Sequence, residues 1–242
     1  MAEREPWLKP GMAAIVTGAS SGIGLAIARR LLRERVTVIG LSRGGSEPEL
    51  GAESEAVRML HCDVREEEAV KRTVRTAFDI AGRIDILVNA AGVSMPQFMN
   101  LETIDYELWK RLIDTNLSGL FLVTRATLPH LKKQGGYIIN ILSTAAFRSS
   151  IGNAPYSASK QGAKAIGDTA ALEGKEAGVR VTSISPGPVN TAIWSHKTNP
   201  PDEAKRAKML SSEDIADIAL FLLSSPSYMA IDNVTVTPFL YG

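Results

Sequence analysis

The chain has 242 residues and a net charge of +1, a length that suits one α/β domain with a sizeable core and a balance that offers nucleic acid no electrostatic footing. Its single cysteine, Cys62, excludes an internal disulfide framework, fits a reducing, cytoplasmic setting and reads as a small buried apolar residue. No run of about 18 apolar residues occurs, so no membrane span is expected; Met1 to Pro10 mixes charges with prolines and lacks the apolar stretch of a secretory signal.

Met12 to Thr17 is a short apolar run that reads as a buried strand. It leads into Gly18-Ala19-Ser20-Ser21-Gly22-Ile23-Gly24 and then a helical pattern through Leu32. Strand, glycine-rich turn and helix in that order form a phosphate cradle: glycines admit a pyrophosphate to the backbone, and the helix start presents free N–H groups. The spacing is Gly-x-x-x-Gly-x-Gly, so a tight turn of no ligand-binding role is the alternative. A second strand, Val36 to Leu41, ends in Ser42-Arg43. A carboxylate at that point bonds the ribose hydroxyls of NAD; a guanidinium instead pairs with the 2′-phosphate of NADP(H). The neighbouring Gly44-Gly45-Ser46 leaves open that Arg43 is a loop residue in solvent, and NAD(H) is not excluded.

Ala56 to Leu60 reads as a third strand, running into His61-Cys62-Asp63-Val64. Asp63 is placed either to accept a bond from an adenine amino group or to cap the helix starting near Glu66. Residues 66–81 are amphipathic, with Val70, Val74, Ala77 and Phe78 inward. Ile84 to Val88 forms a fourth strand, closed by the small residues Asn89-Ala90-Ala91-Gly92 where an open α/β sheet takes its ligand. A long helix follows over 107–131, with Leu108, Trp109, Leu112, Ile113, Leu117, Leu120 and Phe121 on apolar faces. Asn116 sits in its middle between apolar neighbours, a position that bends a helix or seeks a buried partner. Tyr137 to Leu142 is the fifth strand, ending at Ser143-Thr144, and Pro155 marks the start of another helix.

That helix opens with Tyr156-Ser157-Ala158-Ser159-Lys160. Tyr156 and Lys160 are four apart and share a helical face. A phenol titrates near pKa ~10; an ammonium beside it favours the phenolate and brings the proton within reach of acid–base work. Alone, the pattern also fits an ordinary helix start.

Taken together, these motifs and their order resemble the short-chain dehydrogenase/reductase family along nearly the whole chain. The resemblance implies a single Rossmann domain over 1–242 with a doubly wound, seven-stranded parallel sheet and helices on both faces. Its nucleotide half spans about 12–142 and its catalytic and substrate half about 143–242, with a substrate loop at about 190–210. It implies Tyr156 as general acid or base, Ser143 as the group orienting a substrate carbonyl, and Lys160 bonding the nicotinamide ribose and lowering the Tyr156 pKa. Asn116 is implied to hold the backbone and a water that relays protons. NADP(H) would lie on Gly18, Ser20, Ser21, Gly22, Ile23, Gly24, Ser42, Arg43, Asp63, Val64, Asn89, Ala90, Ala91 and Gly92. Pro186, Gly187, Val189 and Thr191 would lie against its nicotinamide.

The last strands read as Val179 to Ser185 and Val234 to Val236, with a helix capped at Ser212-Glu213-Asp214 between them. Residues 192–210 are polar and carry Pro200-Pro201, as a closing lid would. Ser94, Met95, Ala145, Phe147 and Trp194 are candidate substrate-pocket walls, or simple packing. No metal site is expected. The end Ile231 to Pro238 departs from the family's Val-Asp-Gly-Gly, which leaves a homo-oligomer open between tetramer and dimer. The expected activity is hydride transfer between NADP(H) and a small or medium carbonyl or alcohol. The alternative is a 3-oxoacyl-carrier-protein reductase. The carrier-docking arginines of such enzymes fall on Gln134 and Ala177 here, with Lys132, Lys133 and Lys175 close by. A non-catalytic dinucleotide sensor is the reading from another class.

Overall fold

Seven short strands pair in parallel in the order β3-β2-β1-β4-β5-β6-β7. They are β1 (Ala13–Thr17), β2 (Thr37–Ser42), β3 (Val57–His61), β4 (Ile86–Asn89), β5 (Tyr137–Ile141), β6 (Arg180–Pro186) and β7 (Asn233–Val236). This computed structural model describes residues 5–44 and 57–240; the expected Gly45-Ser46 turn and Ala56 lie outside the described residues. Parallel neighbours need a crossover between them, and the α-helices that the described residues form between strands are α1 (Gly22–Arg33), α2 (Glu67–Ala81), α3 (Tyr106–Ile113), α4 (Gly119–Gln134), α5 (Ala154–Gly174), α6 (Glu203–Arg206) and α7 (Ser212–Ser224).

The strands are apolar runs because both faces of the sheet are covered. Successive residues point to opposite faces. Val16, Val88 and Ile139 therefore pack with Ile27 and Leu31 of α1 and with Ile215 and Leu222 of α7. Their neighbours Ile15, Leu87 and Ile138 pack with Val70 and Val74 of α2 and Val123 of α4. Among the described residues no helix is long and apolar enough to cross a membrane.

Several limits differ from the sequence reading, for local reasons. β4 begins two residues later than expected, because the Asp85 carboxylate takes the Ala13 N–H at 2.8 Å while Arg83 pairs with it at 2.7 and 2.8 Å. The expected single helix over 107–131 is α3 and α4 joined by a π-helical turn, Asp114–Ser118. Phe121 is turned outward, under the Arg125 guanidinium at 5.2 Å. The cap of α7 sits at Ser211, one residue earlier than expected, in a reciprocal pair with Asp214.

The chain winds outward from β1 to β3 on one side and from β4 to β7 on the other. Helices leave the two halves in opposite directions, and a crevice opens at the carboxyl ends of β1 and β4.

Candidate active site

The turn between β1 and α1 presses against the end of β4. Gly18 has φ +68°, and a Cβ there would sit 3.0 Å from the Ala91 backbone. A Cβ on Gly24 would run into the Gly18 carbonyl. Thr17 Oγ1 accepts the N–H groups of Ala90 and Ala91, each at 3.0 Å, and locks the two strand ends together. Ser21 precedes α1 without a side-chain cap, so the first N–H groups of α1 stay open. Gly22, at φ +55°, faces Thr191 across the crevice.

The π-helical turn places Asn116 where an α-helix would not. It is 2% exposed. Its amide clamps the Val93 backbone, accepting from the N–H at 2.8 Å and donating to the carbonyl at 2.9 Å. It also donates to Ser159 Oγ at 3.1 Å, and that hydroxyl donates to the Tyr156 carbonyl at 2.7 Å. Asn116 thus ties the loop after β4 to the first turn of α5. The glycine at 92 makes room: a Cβ there would lie 3.3 Å from Asn116 Oδ1 and 3.7 Å from Lys160 Nζ.

Ser143 follows the end of β5 by two residues and caps the short turn after it, its hydroxyl accepting the Ala145 N–H at 3.2 Å. Tyr156 and Lys160 project from the first turns of α5. Burial pushes the Tyr156 phenol up, and the bond to Ser143 opposes that shift. Burial pulls the Lys160 ammonium down to about 8. The ammonium donates to the Ile141 carbonyl at 3.0 Å and stands 5.8 Å from the Tyr156 ring centroid. The expected lowering of the phenol by Lys160 is therefore not found in the chain alone. Desolvation of the phenol outweighs its bond to Ser143.

These side chains meet in a cleft of about 120 Å³ at the carboxyl end of the sheet. Its wall takes Ile23 from the glycine-rich turn, Ala90 and Gly92 from the end of β4, and Ser143, Tyr156 and Lys160. Pro186, Gly187, Val189 and Thr191 come from the end of β6. Val93, Ile141, Leu142 and Ile193 complete the wall; apolar residues beside a motif gave no signal in the sequence. A wider open groove of about 570 Å³ runs beside Arg65 and the start of α3, lined by charges of both signs and by none of the motif residues.

The comparisons with known proteins agree with this geometry. A family model for the short chain dehydrogenases matches residues 12–202. An uncharacterized oxidoreductase of Staphylococcus epidermidis is 36% identical over 230 residues, covering 93% of this chain and 96% of the relative. The chain belongs to the short-chain dehydrogenase family. Solved structures with the same fold include an alcohol dehydrogenase of the archaeon Thermococcus sibiricus complexed with 5-hydroxy-NADP. It has a TM-score of 0.84 and 27% identity, over 96% of this chain and 97% of that one. A 3-ketoacyl-(acyl-carrier-protein) reductase of Brucella melitensis complexed with NADH has a TM-score of 0.85 and 29% identity, over 95% and 98%.

In this short-chain dehydrogenase the remaining expected residues lie at and just beyond the ends of β2 and β3. Ser42 is buried at the end of β2 and Arg43, next in the chain, is exposed. Asp63 does not cap α2, whose cap position is Glu66. Both Asp63 carboxylate oxygens are held instead by the Arg65 guanidinium, at 2.6 to 3.1 Å, which lowers the Asp63 pKa. Val64 is buried beside it.

None of the five candidate pocket walls borders the cleft. Met95 is 1% exposed and belongs to the interior. Ala145 is buried behind Ser143, and Ser94 is only partly exposed. Phe147 is turned outward under Lys164, at 5.7 Å. Trp194 stands outside the wall, its indole N–H donating to the Val189 carbonyl at 2.7 Å. The loop after β6 is structured: the Asn190 N–H donates to the Leu210 carbonyl at 2.7 Å, and the Thr198 N–H to the Pro96 carbonyl at 3.0 Å.

Proposed function

We propose that the protein is an NADP(H)-linked oxidoreductase that reduces a small or medium ketone or aldehyde, or oxidises the corresponding alcohol. The observation that carries the reading is the convergence of Ser143, Tyr156 and Lys160 with the glycine-rich turn and the Pro186–Thr191 segment on one cleft.

The residues fit a dinucleotide. Gly18 and Gly24 let the turn pack tightly on itself and on the end of β4, and α1 opens uncapped behind it, which suits a pyrophosphate. Exposed Arg43 at the end of β2, preceded by Ser42 and not by a carboxylate, suits a 2′-phosphate. Solved relatives that hold NADP or NADH support the same class of cofactor. When bound, the nicotinamide supplies or accepts the hydride.

The chain's own groups handle the oxygen. A phenol held up by burial is protonated at neutral pH, the state needed to donate to a carbonyl oxygen in reduction. The Ser143 hydroxyl, next to it, donates to the same oxygen as charge develops there. Lys160, titrating at about 8, is placed to return a proton toward Tyr156, and Asn116 holds the Val93 backbone at the cleft wall.

Dissociation constants for NADPH and NADH test the cofactor half. NADPH is expected to bind about ten- to a hundredfold more tightly, the worth of a charge-assisted bond to the 2′-phosphate. Equal or tighter binding of NADH overturns the assignment to Arg43. A second reading, 3-oxoacyl-carrier-protein reductase, is supported by the Brucella relative but lacks arginines at Gln134 and Ala177. It requires turnover of acetoacetyl thioesters, and failure of thioesters where simple ketones react overturns it. A dinucleotide sensor without turnover is disfavoured by the intact Ser143, Tyr156 and Lys160. The outward-facing Phe221, Tyr228, Phe239 and Leu240 at the α7–β7 side support a homo-oligomer.

A further inference from the structure

Lys197 lies in the loop after β6, and its ammonium stands over two aromatic rings, Phe98 at 5.6 Å and Trp194 at 5.7 Å. It is partly buried, and burial lowers its pKa. Among the described residues no carboxylate pairs with it. Ring faces attract an ammonium but fill none of its three N–H donors. A half-desolvated cation with unfilled donors binds an anion more strongly than one in open water.

Three loops hold this cation beside the cleft. Trp194 is fixed by its indole bond to the Val189 carbonyl, and Val189 and Ile193 are cleft wall. The Lys197 N–H donates to the Trp194 carbonyl at 3.1 Å and the next N–H, of Thr198, reaches the Pro96 carbonyl at 3.0 Å. Phe98 is seated against Gly152, which has φ +74° and accepts the Met99 N–H at 3.0 Å. A Cβ at 152 would come 2.7 Å from the Phe98 Cβ, so Phe98 keeps its place only because residue 152 is glycine. The cleft wall itself contains no Asp or Glu; its one charged residue is Lys160.

We infer that the substrate is an oxo acid, or the matching hydroxy acid, whose carboxylate is bound by Lys197 while its carbonyl meets Ser143 and Tyr156. The inference rests on the reductase reading and adds the charge of the substrate to it. A carboxylate accepts from the ammonium where the rings only steady it, and the substrate's far end supplies the counter-ion. Lys197 carried no signal in the sequence, since a lone lysine in a polar loop is ordinarily solvated.

The test is a series of oxo acids of increasing chain length, each beside its methyl ester. Turnover with NADPH and calorimetric binding to the NADP-loaded protein are both measured. The wild-type chain should prefer the acid over the ester at one chain length. Lys197→Met should lower the acid-to-ester ratio of kcat/KM about ten- to a hundredfold at that length, mainly through KM, and Lys197→Arg should restore most of it. Ratios within twofold between wild type and Lys197→Met at every length overturn the inference. If no compound turns over, the reductase reading fails, and the calorimetry still decides Lys197. Tighter binding of acid than ester that disappears in Lys197→Met upholds it, and unchanged binding overturns it.

Discussion

At the amino end of the sheet Asp85 is 1% exposed, and its carboxylate is filled by the Arg83 guanidinium and the Ala13 N–H. Nearby, Arg180 lies 4.3 Å over the Tyr137 ring and 5.1 Å from Trp7 and donates to the Pro226 and Met229 carbonyls at 3.2 Å. At the carboxyl end Lys160 is 6% exposed and has one carbonyl, that of Ile141, and no acid. Burying a charge is costly unless partners replace its water. At the amino end Asp85 has partners that hold strands together, whereas Arg180 keeps one buried guanidinium nitrogen without a partner and a pKa lowered by burial. Lys160 likewise carries a pKa lowered by burial, but it does so on the wall of the cleft, a setting that suits proton transfer.

The largest effect expected from this contrast is at the phenol. Tyr156→Phe should lower kcat about 10²- to 10⁴-fold while dinucleotide affinity stays within about twofold, measured by steady-state turnover and fluorescence titration. Full activity in that variant breaks the proton-donor assignment.

Lys160 gives the next effect, and its sign follows from its pKa. The folded chain holds the ammonium only below about 8, whereas the unfolded chain holds it to near 10.5. Burial of the charge therefore costs stability at neutral pH, and the cost fades as pH rises from about 8 toward 10.5. Without nucleotide, Lys160→Met should gain on the order of 3 kcal/mol relative to wild type at pH 7. It should lose most of that gain as pH rises to about 10.5. Urea unfolding across pH checks this; a constant difference means the ammonium is hydrated.

Asp85→Ala should cost about 2–3 kcal/mol at pH 7, read from the same unfolding curves, with kcat little changed. A loss of activity without a loss of stability would erase the division between the two ends. The smallest effect is at the rim of the crevice. Arg43→Ala should weaken NADPH about ten- to a hundredfold and leave NADH within about twofold, by the same fluorescence titration.

Much of the site was legible in the chain. Short apolar runs ending in Gly18, Asn89, Ser143 and Pro186 marked the carboxyl ends of buried parallel strands, and those ends do converge. Spacing alone put Tyr156 and Lys160 on one face. Apolar neighbours around Asn116 pointed to its burial. Met95 was open between two readings, because an apolar residue after a strand end fits a pocket wall and a packed interior equally well; it is buried.

The sequence by itself determined most of the strands and helices and put the candidate side chains Tyr156 and Lys160 on one helical face. Periodicity, glycine placement and local spacing act over a few residues and are written directly in the chain. Only the tertiary structure decided the long-range pairs. Asn116 clasps Val93 and Ser159, Thr17 latches Ala90, Arg65 rather than a helix start claims Asp63, and Lys197 stands over Phe98 and Trp194. It also decided the direction of the Tyr156 shift. That shift depends on how much water the packed loops exclude, a quantity set by the whole fold and by no local pattern.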